Sequence, residues 1–310
     1  MSTPAASRTF RVARALDARS TLGVLIGGRR GPCGRIGADG VWRATNTPDG
    51  PATCQVDDRH GEPHRDGGVI TVRAWGPGAD WVIEHSGALL GLDDDPSTFA
   101  PDRDDVVGEL HRRHPGIRFC RSLALAEAMV PIIIAQKVPS IAARRSWRSL
   151  VRVHGRPAPG PVPGLRLPPT AERLAALPYQ DFHRFDIERR RAETLRRVCA
   201  RAAGIDRLAT VEPERAMAAL RSIDGVGAWT ASRAAQVALG AVDAVIVGDY
   251  HFPHAITWLL AGEPRGTDAR MLELLAPYAG QRGRAQRLVL RAGRAPRYGP
   301  GLPIQSFADR

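Results

Sequence analysis

The spacing of hydrophobic residues changes character once along this chain of 310 residues. From Phe10 to about Leu92 the pattern is short apolar or alternating runs, at 21–26 (Thr-Leu-Gly-Val-Leu-Ile), 40–45, 52–56 and 69–75, separated by clusters of Gly, Pro and Asp. Runs of this kind between turn residues predict antiparallel strands joined by hairpins. The stretch from Asp80 to Leu90 then predicts a helix. After the acidic triplet Asp93 to Asp95, apolar residues recur at helical spacing almost to the end. A Pro- and Gly-rich stretch from His154 to Pro169 interrupts them, and no helix can cross it. The expected fold class is α+β, with a small antiparallel sheet-and-helix domain over 1–92, an all-α domain over 93–300 and a tail over 301–310.

Within the helical part, residues 220–231 set Gly225, Val226 and Gly227 between two amphipathic segments. Leu220 and Ile223 lie at helical spacing on one side, Ala231, Ala234 and Val237 on the other. Glycines that accept positive φ let the backbone N–H groups of such a hairpin, running on through Ala228 and Thr230, converge on one oxyanion. A nucleic-acid phosphate is the expected guest. One loop later Asp249 and Tyr250 precede a helix through Pro253, Ile256, Trp258 and Leu260, whose positive end favours a carboxylate.

Charge supports a nucleic-acid partner. Residues 1–95 hold 11 Arg against 12 Asp and Glu, whereas the remainder holds 33 basic against 20 acidic residues. Clustered Arg of this kind is rewarded by a phosphate backbone through counterion release. Three basic helix surfaces are candidates. They are Arg144 with Arg145, Arg148 and Arg152; the run from Arg189 to Arg201, with Asp186 as its expected N-cap; and Arg282 with Arg284 and Arg287. Four cysteines without paired spacing, at 33, 54, 120 and 199, suit a reducing compartment, and no metal or other cofactor is expected. Cys33, Cys54, His60 and His64 could be imagined as a zinc set but lack knuckle spacing. No apolar run approaches the roughly 20 residues of a membrane span, and the first residues lack the apolar core of a leader. A cytoplasmic, nucleoid-associated monomer is expected.

Residues 220–231 (Leu-Arg-Ser-Ile-Asp-Gly-Val-Gly-Ala-Trp-Thr-Ala), the helix Ala-Ser-Arg-Ala-Ala-Gln-Val-Ala-Leu-Gly over 231–240 and the stretch ending Gly-Asp-Tyr at 248–250 resemble the helix-hairpin-helix DNA glycosylase superfamily, nearest to its 3-methyladenine branch. The resemblance implies a helix-hairpin-helix glycosylase domain after the sheet domain, and double-stranded DNA containing damaged bases as partner. It makes Asp249 the catalytic carboxylate, which stabilises positive charge on the sugar as the N-glycosidic bond breaks. It implies a base pocket at Trp229, Arg233, Tyr250 and Gly283. DNA contacts fall at Gly225, Val226, Gly227, Ala228 and Thr230, at Gln136 and Lys137 of a wedge loop, and at Arg144, Arg282 and Arg284.

Relatives that also cut the strand carry a lysine where Trp229 stands, so water-dependent, monofunctional base release is expected. Lys137 occupies a place usually held by leucine, leaving insertion into the base stack or phosphate contact open to it. Gly283 and Arg233 stand where aromatic residues line the family's pocket. With Arg233 expected to turn outward, the less aromatic pocket should favour cationic bases over neutral hypoxanthine. A noncatalytic DNA-binding protein, or a glycosylase for another bulky lesion, is the alternative.

Overall fold

The computed structural model describes residues 3–27, 30–58, 68–293 and 296. His60, His64 and the tail from 301 lie outside them. Six strands, β1 (Ala6–Val12), β2 (Arg30–Gly31), β3 (Gly34–Gly37), β4 (Gly40–Thr47), β5 (Gly50–Asp57) and β6 (Gly68–Trp75), form one sheet in the order β1-β6-β5-β4-β3-β2. Every pairing is antiparallel, with Val41 opposite Val56 and Val56 opposite Val72. The alternation buries Val41, Cys54, Val56, Ile70, Val72 and Ala74 on one core, completed by α1 (Ala18–Ile26) and α2 (Ala79–Glu84).

Residues 21–26 are therefore helical, not a strand. Asp17 caps α1 by accepting from the Ser20 amide at 2.8 Å, and Gly27 ends it in the left-handed region at φ 68°. Ala18, Leu22 and Ile26 point inward at four-residue spacing. The expected helix over 80–90 is divided into α2 and α3 (Ser86–Leu89), with His85 between them.

The stretch over 154–169 covers the sheet's other face. A bridge between Pro157 and Arg166 closes it, the Arg166 amide donates to the Pro32 carbonyl at 3.0 Å, and Leu165 and Leu167 pack on Ala44.

The remaining helices are α4 (Asp105–Arg113), α5 (Leu125–Ile134), α6 (Ser140–His154), α7 (Ala171–Ala176), α8 (Arg189–Ala200), α9 (Ala202–Asp206), α10 (Pro213–Arg221), α11 (Ala228–Ala238), α12 (Phe252–Ala261), α13 (Asp268–Leu275) and α14 (Arg282–Ala292). Only Pro131 and Glu127 of α5 escape full burial, as suits a helix apolar all round at the centre of a bundle. A second helical core joins α4, α12, α13 and α14 around Ile256, Met271 and Leu288. No helix among the described residues is long and apolar enough to cross a membrane. At the sheet end of α5, Glu127 accepts from Arg43 at 2.9 Å, from Thr45 at 2.8 Å and from the Asn46 amide at 3.0 Å.

Asp186 is not the N-cap of α8. It sits in the left-handed region at φ 58° and closes the preceding 3-10 turn over Tyr179–Phe185, while Glu188 takes the cap position. Its carbonyl accepts from Arg191, which is 2% exposed and also binds the Ile134 carbonyl at the end of α5.

Candidate active site and nucleic-acid interface

The hairpin is seated before it is open. Gly225 has φ 90°, and a β-carbon there would stand 2.1 Å from Thr194 Oγ1 on α8, so the close approach and the backbone conformation both require glycine. Arg197 donates to the Asp224 carbonyl at 3.4 Å from the same helix. Gly227 differs from its expectation. It is extended, at φ −93° and ψ −176°, caps α11 and faces open space, with nothing within 4 Å of a β-carbon. The amides of Gly227, Ala228, Trp229 and Thr230 find no backbone acceptor among the described residues, which is the free donor set of a helix start. Val226 is buried beneath them and its amide donates to Ile223 at 2.9 Å. Beside the hairpin, Arg189, Arg190 and Arg197 line a cleft of about 470 Å³ together with Glu193, Thr194, Asp224 and Gly225.

Gln136 joins the loop between α5 and α6 to this hairpin. Its amide donates to the Gly225 carbonyl at 3.0 Å and to Thr230 Oγ1 at 2.8 Å, so its donor group is engaged inside the protein. Lys137, next in the chain, is exposed and held in the left-handed region at φ 55°. Arg144 lies exposed one turn into α6.

Asp249 is fixed through both carboxylate oxygens. Oδ1 accepts from the His251 amide at 2.8 Å and the Phe252 amide at 3.2 Å, at the start of α12. Oδ2 accepts from the Trp229 indole at 2.8 Å. The hairpin helix thus holds the carboxylate directly, and Trp229 acts as its clamp as well as a neighbouring ring. The preceding loop is pinned three times, by Gln286 to the amide and carbonyl of Ile246, by Gln236 to the Ala244 carbonyl at 2.6 Å and by Asp268 to the Gly248 amide at 2.8 Å. Sequence reasoning missed these three. Glutamines within otherwise apolar helix faces, at 236 and 286, were the available signal.

The expected pocket is only partly assembled. Arg233 is half-buried and leans over the neighbouring ring. Its guanidinium carbon lies 5.6 Å from the Trp229 ring centroid, and burial lowers its proton affinity while the nearby Asp249 carboxylate raises it. Tyr250 is 42% exposed and meets the rings of His251 and His254 edge-on. Gly283 is taken up by packing. It is buried where α14 abuts the preceding loop, and a β-carbon would stand 2.5 Å from the Ala244 carbonyl and 2.7 Å from that of Val242.

Two of the three arginines of the third basic surface are turned inward. Arg282 makes a two-pronged pair with Asp243, while Arg284, 5% exposed, pairs with Asp94 and donates to the Ile117 carbonyl. Arg287 donates to the carbonyls of Arg118 and Ser20, at 3.1 and 2.8 Å. Arg284 offers no cation to a DNA backbone here, because buried protein acceptors occupy it, whereas Arg282 keeps its side chain 40% exposed beside Asp243. Among the described residues no group of three or more His, Cys, Asp or Glu could hold a metal ion.

The fold has known counterparts. No family model matches the chain. Over 170 residues it is 32% identical to the Mycobacterium tuberculosis protein named "Probable bifunctional transcriptional activator/DNA repair enzyme AlkA", a match that takes in 52% of this chain. The chain spans only 33% of that relative's length. Among solved structures, a 3-methyladenine DNA glycosylase from Archaeoglobus fulgidus superposes with a TM-score of 0.75 at 19% identity, over 91% of this chain and 97% of that one. The chain has the helix-hairpin-helix DNA glycosylase fold. A Clostridium acetobutylicum 8-oxoguanine glycosylase/lyase, solved with double-stranded DNA, superposes at 0.64 with 13% identity, over 92% of this chain and 97% of that one.

Proposed function

We propose that this protein is a monofunctional DNA glycosylase of base excision repair that hydrolyses the N-glycosidic bond of altered, principally alkylated, purines. The observation that carries the reading is the doubly anchored Asp249 beside an open hairpin. Two backbone amides and an indole N–H fix the carboxylate, so little reorganisation is needed when positive charge grows on the sugar. The free amides from Gly227 to Thr230 grip a phosphate, and the Arg189–Arg197 cleft continues that grip along the strand.

A stacked base must leave the duplex to reach Asp249. The loop at Gln136 and Lys137, tied to the hairpin, is placed to fill the gap. Bond rupture sends the C1′–N9 electron pair to the base while water adds at C1′ and loses a proton to Asp249 or solvent. Trp229 supplies no amine, so strand cleavage through a Schiff base has no nucleophile at that position. The organisation into a sheet domain over 1–92 and a helical domain beyond, and the monomeric state, belong to the same proposal. The test is base release from alkylated duplex DNA. Wild type should release bases, whereas Asp249→Asn should release few and still bind abasic-site DNA within a few-fold of wild type. Equal release by the two proteins would remove Asp249 from the mechanism.

A further inference from the structure

Arg233 is exceptional among the arginines of the interior. Arg191, Arg284, Arg287 and Arg118 each donate to backbone carbonyls or carboxylates. Arg233 is only half-buried, less deeply set than Arg191 or Arg284, yet it makes no hydrogen bond with any described residue, and its guanidinium lies against the face of Trp229. A guanidinium without acceptors is costly to bury, and the usual remedies are pairing or exposure. Here no described residue pairs with it, and partial exposure leaves the donors open to a ligand. Its place is one turn along α11 from Trp229, whose indole edge binds Asp249, so the carboxylate and the guanidinium flank the same ring.

We propose, building on the glycosylase reading, that Arg233 sets base specificity by assisting neutral purine lesions and disfavouring bases that are already cationic. A planar fork of N–H donors matches two acceptors on one purine edge, as arginine matches O6 and N7 in duplex recognition. A neutral purine departs with the electron pair of its glycosidic bond and is an anion at that moment, so a fixed cation beside it lowers the barrier. Arginine keeps its own proton, and the departing base takes one from water. An N7- or N3-methylpurine nucleotide is cationic before cleavage and departs as a neutral base. Arg233 gives it nothing in the transition state and repels it on entry. The substrates implied are neutral adducts such as 1,N6-ethenoadenine and 6-oxopurines such as hypoxanthine, the reverse of the order expected when Arg233 was assigned to the outer surface.

Single-turnover release should be measured on matched duplexes carrying hypoxanthine, 1,N6-ethenoadenine, 7-methylguanine or 3-methyladenine, for wild type, Arg233→Gln and Arg233→Lys. Thermal melts would establish that each variant is folded. Wild type should favour the neutral pair once rates are divided by spontaneous depurination. Arg233→Gln should lower neutral release by about 100-fold, the usual effect of removing one transition-state donor, while cationic release holds or rises. Arg233→Lys should fall between them, since it keeps the charge and loses the fork. An equal loss on all four bases, or an unchanged ratio, overturns the proposal while leaving the glycosylase reading intact. No release of any base by wild type overturns both.

Discussion

Replacing Asp249 with Asn tests the carboxylate and its clamp together, because the two halves of the side chain meet different donors. One oxygen of Asn can still serve the His251 and Phe252 amides. The amide NH₂ then faces the Trp229 indole N–H across 2.8 Å, donor against donor. An unsatisfied donor costs about 1–3 kcal/mol when buried, and this half-buried pair falls at the low end, about 1 kcal/mol; for a chain of this size each kcal/mol moves the melting temperature by about 2–4 °C. Asp249→Asn should therefore melt about 3 °C below wild type, and base release should fall roughly 100- to 1,000-fold as the fixed charge is lost.

Adding Trp229→Phe removes the facing donor. The double variant should recover most of the lost stability relative to Asp249→Asn, with a coupling of about 1 kcal/mol in a double-mutant cycle. It should recover none of the activity. Calorimetry and single-turnover release on the four proteins read the two quantities separately. If Asp249→Asn melts with wild type, or the double variant is less stable than Asp249→Asn, the indole–carboxylate bond is not what holds the site. If the double variant regains activity, charge is not what Asp249 contributes.

Other expectations follow from single contacts. Gly227→Val, placed in open space, should leave the melting temperature nearly unchanged and weaken binding to all duplexes alike, whereas Gly225→Ala should destabilise the fold through Thr194; lesion-selective loss for Gly227→Val would contradict the phosphate role. Borohydride should trap no covalent complex with lesion DNA, and a trapped species mapped to Lys137 would show that its loop reaches the sugar. Gly283→Ala should be destabilising, since its β-carbon would meet the Ala244 carbonyl at 2.5 Å; a neutral melt would mean that α14 can slide.

The His254 ring accepts from the Gly266 amide at 2.9 Å, and burial, then Arg265 and His251, depress its proton affinity. Its folded value lies below the unfolded one near 6.5, so the contribution is complete above about pH 6.5 and is lost as acid carries the pH through the folded value. Amide exchange at Gly266 should quicken in that acidic window, and a flat profile would refute it.

What was legible in the sequence followed local chemistry. Gly225 to Gly227 announced a turn because few other residues make one there, and Asp249 stood near a helix start whose apolar spacing was clear. The failures were of two kinds. Residues 21–26 form a short apolar run whose period does not separate strand from helix, and the deciding cap, Asp17, lies before the run. The arginines of α14 read as a basic surface because charge does not reveal its partner. Asp94 and Asp243, which hold Arg284 and Arg282, are 190 and 39 residues away in the chain. The course of Arg233 was open for a related reason, since a long side chain in mid-helix can snorkel outward or fold over a neighbouring ring. Here Trp229 offers that ring one turn away.

α5 has a mechanical consequence. Its first turn carries Glu127, bolted to Arg43, Thr45 and Asn46 of β4, and its far end runs directly into Gln136 and Lys137. Ten residues of helix make a strut about 15 Å long. Any thrust that a duplex returns to the tip at Lys137 travels down this strut and is received by the edge of β4, so the sheet serves as an abutment. Loosening the bolt with Glu127→Gln would soften the tip from the opposite end of the helix, without altering any atom that faces DNA.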